Sequence, residues 1–204
     1  MLIRKNISVA RRVAVCAMLS AVSFVLQLIE FPMPFLIPSF VQMDFSDLPA
    51  LIGAFSLGPL YGAIISLLKN TLHLLVTTTG GVGELANFLL SATFSFVAGV
   101  IYHYKRDRKG ALIGSLVGAL VMAIISIPVN YFVTYPVYFR IFAPEEIILD
   151  AYRLILPSVS GTLECLLIFN APFTLLKGLL SAALAFLIYK HVSPIIKGKA
   201  SKND

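Results

Sequence analysis

The sequence predicts an all-α integral membrane protein, a bundle of six transmembrane helices with both termini in the cytoplasm. Hydrophobic residues make up 58% of the 204 positions, and the mean hydropathy is +0.91. Charged residues make up only 13%, whereas soluble domains contain roughly 25%. One span needs about 20 apolar residues, so the length allows about six spans once loops are subtracted. We therefore expect a single membrane domain over residues 1–204.

Three basic clusters orient the predicted bundle. Twelve of the sixteen Lys and Arg residues lie in an amino-terminal arm, one short loop and the carboxyl-terminal tail. They are Arg4, Lys5, Arg11, Arg12, Lys105, Arg106, Arg108, Lys109, Lys190, Lys197, Lys199 and Lys202. Basic residues concentrate in cytoplasmic loops, and six crossings place all three clusters inside. The net charge of +6 therefore reflects membrane orientation and does not indicate a nucleic-acid partner.

The predicted first span, residues 10–29, carries a stripe of alanines. Ala10, Ala14, Ala17 and Ala21 recur at steps of three and four residues and so share one helix face. Small residues let a second helix approach closely. The stripe serves either packing within the bundle or docking of a separate protein. A cleaved signal peptide is disfavoured, because the run is long, lacks a small-residue cleavage site and is followed by further spans.

Residues 30–46 are predicted to form an apolar lid on the outer side. A helix is excluded there by three prolines, Pro32, Pro34 and Pro38. The segment Asp44-Phe45-Ser46-Asp47 then supplies residues that cap helices, so a helix should begin near Ser46 or Asp47. This helix is the second predicted span, residues 47–57.

The remaining spans are predicted over residues 59–78, 84–104, 110–138 and 165–190. Pro128 is expected to bend the long fifth span. An outer loop, residues 139–164, contains Pro144-Glu145-Glu146, which indicates the start of a short amphipathic helix.

Few residues suggest metal binding. Lys69 and His73 lie four residues apart and share a face of the third span, and Lys69 is able to pair with Asp44, Asp47 or Glu84 and close the extracellular side. A single His beside a Lys offers too few convergent ligands for a metal.

The two cysteines, Cys16 and Cys165, lie in apolar runs without a CxxC partner. We expect them to be small core residues rather than parts of a zinc site or a disulfide.

Polar side chains gather toward the outer ends of the predicted spans. An unpaired lysine within a membrane helix costs roughly 2.5–3.5 kcal/mol on insertion scales, so Lys177 should face protein or a watery cavity. Asn87, Asn130 and either Asn170 or Thr174 lie on the same side. Amides offer both donors and an acceptor, which suits a neutral planar heterocycle. The residues alone predict a buried site for an uncharged or weakly charged organic molecule, open to the exterior.

Several motifs, in order along nearly the whole chain, resemble those of the riboflavin-specific substrate-binding (S) component of energy-coupling factor (ECF) transporters. They are Ala17-Met18-Leu19-Ser20-Ala21, Asp44-Phe45-Ser46-Asp47-Leu48-Pro49-Ala50-Leu51, Gly58-Pro59-Leu60-Tyr61-Gly62, Lys69-Asn70-Thr71-Leu72-His73, Gly83-Glu84-Leu85-Ala86-Asn87-Phe88 and Pro172-Phe173-Thr174-Leu175-Leu176-Lys177-Gly178.

The resemblance implies a six-helix S-component fold whose lid covers the vitamin. Asn130, Thr174 and Lys177 would meet the polar edge of the isoalloxazine ring. The lid residues Phe40, Gln42, Met43 and Asp44, together with Asn87, would lie near the ribityl chain or the ring.

One position departs from the family. The family commonly shows PFNxxKG, and Thr174 replaces the asparagine here. Its hydroxyl cannot present the paired donor and acceptor of an amide. That ring contact is therefore weakened, or it is supplied by Asn170 or by water.

The same resemblance implies riboflavin uptake without chemistry on the substrate. Riboflavin is then the transported ligand and not a cofactor. Ala14, Ala17 and Ala21 would dock onto the transmembrane ECF subunit of a module driven by two ATP-binding subunits, in the plasma membrane of a prokaryote. The loaded bundle would then topple within the bilayer. The chain contains no Walker motif, so ATP hydrolysis is assigned to the partners.

Two rival functions are kept. An S component for another vitamin is the nearest, although thiamine-binding relatives use tryptophan-rich pockets and this chain has no Trp. An intramembrane enzyme would need a serine paired with His73 or His103, and neither histidine lies in a recognisable catalytic motif.

Overall fold

The computed structural model describes residues 8–197, and the side chains of residues 8–188. Its elements are α1 (Val9–Leu28), β1 (Phe31–Pro32), β2 (Gln42–Met43), α2 (Asp47–Ser56), α3 (Pro59–His73), α4 (Val82–Tyr104), α5 (Arg108–Val129), α6 (Tyr135–Ile141), α7 (Glu145–Arg153), α8 (Thr162–Cys165) and α9 (Ala171–Lys197). A 3-10 turn (Leu74–Val76) extends α3, and π-helical segments join α5 to α6 (Asn130–Thr134) and α8 to α9 (Leu166–Asn170). Of the predicted basic clusters, Arg4, Lys5, Lys199 and Lys202 lie outside the described residues, as do the side chains of Lys190 and Lys197.

Five helical runs of the described chain are long and apolar enough to cross a membrane. They are Val9–Leu28, Pro59–Val76, Val82–Tyr104, Arg108–Ile141 and Thr162–Ile188. Helix α2 has ten residues and is about 15 Å long, half of the roughly 30 Å hydrocarbon core. Its residues from Asp47 to Ala54 are all buried, because α1, α3, α4 and α9 surround it. The chain is a multi-pass membrane protein in which protein rather than lipid encloses α2.

The segment between α1 and α2 forms the lid, residues 30–46. It contains no α-helix, as the prolines predict, and its ends pair as a short antiparallel hairpin that the sequence did not indicate. Phe31 faces Met43 and Pro32 faces Gln42 across the two strands. The hairpin closes the lid at its base and fixes which side chains point toward the bundle.

Helix α2 begins at Asp47, as predicted, but the expected cap is wrong in detail. The Ser46 side chain makes no capping hydrogen bond to the helix. Its hydroxyl instead accepts a hydrogen bond from Lys69 Nζ. Asp44 Oδ1 accepts from the Ser46 N–H at 2.7 Å and so fixes the turn that leads into the helix. A charged partner from α3 has replaced local capping.

The long fifth span changes geometry where Pro128 was expected to disturb it. Helix α5 ends at Val129, and the π-helical turn Asn130–Thr134 follows at once. Proline has no N–H to donate, and a π-turn accommodates such an interruption without ending the helix. The wider turn brings Asn130 and Thr134 into the buried interior. The short helix predicted after Pro144 is present as α7.

The buried side chains form two apolar clusters. The first joins α1 to α5 and α9 and includes Leu19, Phe94 and Met122. The second joins the lid, α6, α7 and the start of the last span and includes Met43 and Tyr152. Cys16 lies in the first and Cys165 in the second, both as free buried thiols, as predicted. The space between the two clusters holds the site described next.

Candidate ligand-binding site

A cavity of about 180 Å³ lies between the lid and the helix bundle. A single water needs roughly 10–15 Å³ measured in the same way, so this space suits a molecule of many atoms. With the exception of Met43, the predicted ligand contacts all line it: Phe40, Gln42, Asp44, Asn87, Asn130, Asn170, Thr174 and Lys177.

Met43 is the exception because of strand alternation. Successive side chains of a strand point to opposite faces, so Gln42 reaches the cavity and Met43 does not. Met43 is 1% exposed and packs in the second apolar cluster. The expectation that its side chain lines the ligand space is wrong.

Lys177 ties the last span to the base of the lid. Its Nζ lies 2.8 Å from Asp44 Oδ2 and 3.3 Å from Asn87 Oδ1. Burial by itself raises the pKa of the Asp44 carboxyl. The ammonium groups of Lys177 and Lys69 lower it by more than burial raises it, so the pKa lies below its ordinary value. An ammonium group has three donors, and these two contacts leave one for a ligand.

Lys69 lies behind the cavity wall and pairs with Asp47, which itself lines the cavity. Its Nζ donates to Asp47 Oδ1 at 2.8 Å and to the Ser46 hydroxyl. The Ser23 hydroxyl of α1 donates to the Ser46 carbonyl. Lys69 has no exposed surface and does not line the cavity. The predicted partners of Lys69 were Asp44, Asp47 and Glu84, and the structure pairs it with Asp47.

His73 and Glu84 form the wall next to the Thr77–Gly83 loop. His73 Nδ1 lies 2.9 Å from Glu84 Oε1, and the Thr79 hydroxyl donates to Glu84 Oε2 at 2.9 Å. The exposed His103 contacts Arg106 through Nδ1. Neither histidine forms a hydrogen bond with a serine hydroxyl among the described side chains, so the geometry gives no support to the enzyme alternative.

Asn170 is held by two tyrosines. Its Oδ1 accepts from the Tyr152 hydroxyl at 2.7 Å, and its Nδ2 donates to the Tyr135 oxygen at 3.2 Å. Asn130 faces the same cavity from the first π-helical segment, and Thr174 faces it from α9. Lys177, Asn130, Asn170 and Thr174 thus share one hollow.

Sequence reasoning missed several residues of this wall, among them Gln27, Tyr135 and Tyr138. Gln27 Oε1 and Thr134 Oγ1 are buried without a hydrogen-bond partner among the described residues. Buried polar atoms are normally satisfied, so these two mark the wall as open to a polar ligand or water. A lone glutamine within an apolar span was an available signal for Gln27. The tyrosines gave none, because tyrosine is also common at membrane interfaces.

The alanine stripe lies on the opposite side of α1 from the bundle. Ala14, Ala17 and Ala21 are exposed, whereas α1 packs through Val15, Cys16, Leu19, Ser20, Ser23 and Gln27. Packing within the bundle, one of the two predicted uses of the stripe, is therefore wrong.

Comparison with known proteins gives one consistent result. Residues 11–189 match the family model described as ECF transporter, substrate-specific component. The riboflavin transporter RibU of Staphylococcus aureus (strain TCH60) is 37% identical over 192 residues, which cover 94% of this chain and 95% of that protein. The riboflavin transporter FmnP of Bacillus subtilis (strain 168) is 29% identical over 194 residues, which cover 94% and 96%.

A solved structure gives the same picture. It is described as the S component of a bacterial ECF transporter and superposes with a TM-score of 0.72 at 34% identity. The alignment covers 93% of this chain and 99% of that one.

Proposed function

Because the chain belongs to the substrate-specific components of ECF transporters, we propose that it binds riboflavin and is the substrate-specificity subunit for riboflavin uptake. The observation that carries the proposal is the shared hollow: Lys177 and Asn130, far apart in sequence, line one cavity beneath the lid. The cavity lining combines amide and ammonium groups with aromatic and apolar side chains such as Phe40, Tyr138 and Met122. This combination suits a flat heterocycle with a polar edge.

The proposed contacts follow from the lining. Lys177, Asn130 and Asn170 meet the polar edge of the isoalloxazine ring, with the shorter Thr174 hydroxyl beside them. Phe40, Gln42 and Asp44 of the lid, with Asn87, lie near the ribityl chain or the ring. The lid closes when the vitamin is bound.

The proposed membrane arrangement has six crossings with both termini in the cytoplasm of a prokaryotic cell. The five long spans account for five crossings, and the short helix α2, second along the chain, is counted as one more, which its protein surroundings allow. Lys105 and Arg106 after α4 and Arg108 and Lys109 at the start of α5 form an exposed basic cluster, which supports a cytoplasmic position for this end of the two helices.

The proposed partners are a transmembrane ECF subunit and two ATP-binding subunits. The exposed Ala14, Ala17 and Ala21 of α1 form the docking face, where small side chains let a partner helix approach. The subunit itself carries out no chemistry, and its loaded bundle topples within the membrane to release riboflavin. Ala17→Trp should abolish uptake by the assembled transporter and leave riboflavin affinity unchanged. Lost affinity would overturn the assignment of this face.

Purified protein tests the binding proposal. The preparation should be yellow from copurified flavin. After the flavin is removed, the fluorescence of added riboflavin should be quenched or shifted by the protein in a saturable titration. Thiamine should not compete. A colourless preparation that binds thiamine and ignores riboflavin would make it a component for another vitamin.

A further inference from the structure

Tyr152 lies outside the ligand cavity but is bonded to its wall. It belongs to α7, the short outer helix, and has no exposed surface. Its hydroxyl contacts the Tyr135 hydroxyl and donates to Asn170 Oδ1. Both Tyr135 and Asn170 line the cavity, whereas Tyr152 does not. A residue of the outer helix therefore reaches two groups that would face the ligand.

The three side chains form a closed ring of hydrogen bonds. A tyrosine hydroxyl has one proton to donate. Tyr152 gives its proton to Asn170, so Tyr135 gives its own to Tyr152, and Asn170 Nδ2 completes the ring by donating to Tyr135. The separations of 2.7 Å and 3.2 Å fall in the ranges for O–H···O and N–H···O bonds, respectively. The ring leaves Asn170 one N–H and one lone pair of Oδ1.

The ring fixes an amide that is otherwise free to turn. The terminal torsion of asparagine has broad preferences, so an amide held at neither end samples several orientations. Here Oδ1 and Nδ2 are each held by a different helix, α7 and α6. Burial also raises the pKa of the Tyr152 hydroxyl well above its ordinary value, so the hydroxyl keeps its proton well above neutral pH. A prearranged group binds a ligand without a further cost for ordering it.

We propose that Tyr152 is a positioning residue for the ligand: through the ring with Tyr135, it holds the Asn170 amide so that its remaining N–H or lone pair meets the polar edge of the bound flavin. The inference rests on the proposed function. It also explains how Asn170 is able to provide the amide contact that Thr174 cannot make. Because the rigid amide matches one pattern of donors and acceptors, Tyr152 contributes to selectivity without touching the vitamin.

The substitution Tyr152→Phe isolates the hydroxyl. The Tyr152 ring packs against Phe40 and Phe169, with ring centres 6.0 Å and 5.2 Å apart, and phenylalanine preserves both contacts. Removing the hydroxyl breaks the closed ring of hydrogen bonds and leaves Asn170 Oδ1 without its donor. We expect the Kd for riboflavin to rise about tenfold, the size typical for a buried polar group that loses its partner. Tyr61→Phe, which removes a hydroxyl at the other end of the bundle, serves as the matched control and should bind as the wild type does.

A double-mutant cycle with Asn170→Ala separates positioning from general support. If Tyr152 acts through Asn170, adding Tyr152→Phe to Asn170→Ala should raise the Kd no further. Equal losses in both backgrounds, or a Tyr152→Phe variant that binds as the wild type does, would overturn the positioning role. Thermal unfolding of every variant without ligand identifies any that fail to fold. If Tyr152→Phe is one of them, Tyr135→Phe replaces it in the cycle, because it breaks the same ring of hydrogen bonds from the α6 side. A wild-type protein that binds no riboflavin would instead overturn the proposed function, and the positioning role with it.

Discussion

Two buried lysines, Lys69 and Lys177, have nearly the same immediate surroundings. Each pairs with an aspartate at 2.8 Å, and the two aspartates, Asp47 and Asp44, lie three residues apart where the lid meets α2. Lys69 has no exposed surface and is surrounded by Asp47 and Ser46. Lys177 is 8% exposed and lines the cavity.

The difference between them is access rather than chemistry. The Lys69 ammonium is enclosed by its network, which joins α1, α3 and the start of α2, and only Asp47 of that pair lines the cavity. The Lys177 pair has the same charges, but both of its residues line the cavity, so its ammonium group faces a space large enough for a ligand. A lysine in a membrane helix therefore indicates a buried partner, and only the adjacent cavity indicates a binding role.

The largest predicted effect is on folding, at Lys69. Lys69→Met leaves Asp47 as an uncompensated buried charge, and such losses cost about 3–5 kcal/mol. Lys177→Met should cost less, because the Lys177 ammonium borders the cavity and water there takes its place beside Asp44, whereas the position of Lys69 is fully enclosed. Thermal unfolding in detergent, without ligand, measures both. The double variants Lys69→Met/Asp47→Asn and Lys177→Met/Asp44→Asn are the controls, since each removes the whole pair. Equal destabilisation by the two single changes would contradict the comparison.

The next effect is on binding, at Lys177. Lys177→Ala removes a charged donor from the cavity, and we expect riboflavin affinity to fall about a hundredfold, within the range for a lost hydrogen bond to a charged group. Titration of the folded variant measures this loss. Unchanged affinity would show that the Lys177–Asp44 pair is only structural, as the Lys69 pair is.

A third prediction concerns pH and the Asp44 side of the comparison. The folded pKa of Asp44 lies below its ordinary value near 3.8, because the neighbouring ammonium groups outweigh the effect of burial. A lowered folded pKa gives stability that is present above the ordinary value and is lost as the pH falls through the folded one.

The free energy of unfolding of wild type and Asp44→Asn should therefore differ most at neutral pH, and the difference should shrink as the solution is acidified below about pH 3.8. A difference that grows on acidification would contradict this sign.

The smallest expected effect is at Thr174, one turn before Lys177. Thr174→Val keeps the side-chain shape and removes the hydroxyl, so we expect the Kd for riboflavin to rise about fivefold, as for one neutral hydrogen bond. Competition between wild type and variant for limiting flavin resolves so small a change. An unaltered Kd would indicate that Asn170 supplies the whole contact at this edge.

The sequence predicted much of the cavity wall because polar groups in apolar spans are few. Lys177, Asn130 and Asn87 are conspicuous there, and the lipid penalty directs them inward. The same reasoning identified a structural pairing for Lys69 but did not decide among Asp44, Asp47 and Glu84. That choice depends on how α2 and α3 pack, which no local pattern records.

Other features depend on tertiary contacts from the start. Met43 was included in the site because the family resemblance implies that the lid residues lie near the ligand, and a strand of only two residues shows no alternation that would exclude it. The Ser46 cap was expected from local chemistry, and a lysine from α3 overrides it. Tyr152 could not be assigned a role, since the loop between α6 and α8 brings it to Asn170 only in the folded protein.

A structure of the purified protein with riboflavin bound tests the central claim most directly. We predict that the isoalloxazine ring occupies the cavity beneath the lid, with its polar edge within hydrogen-bond distance of Lys177 Nζ and the Asn130 amide. Riboflavin bound elsewhere, with Lys177 still paired to Asp44 and an empty cavity beside it, would contradict the account.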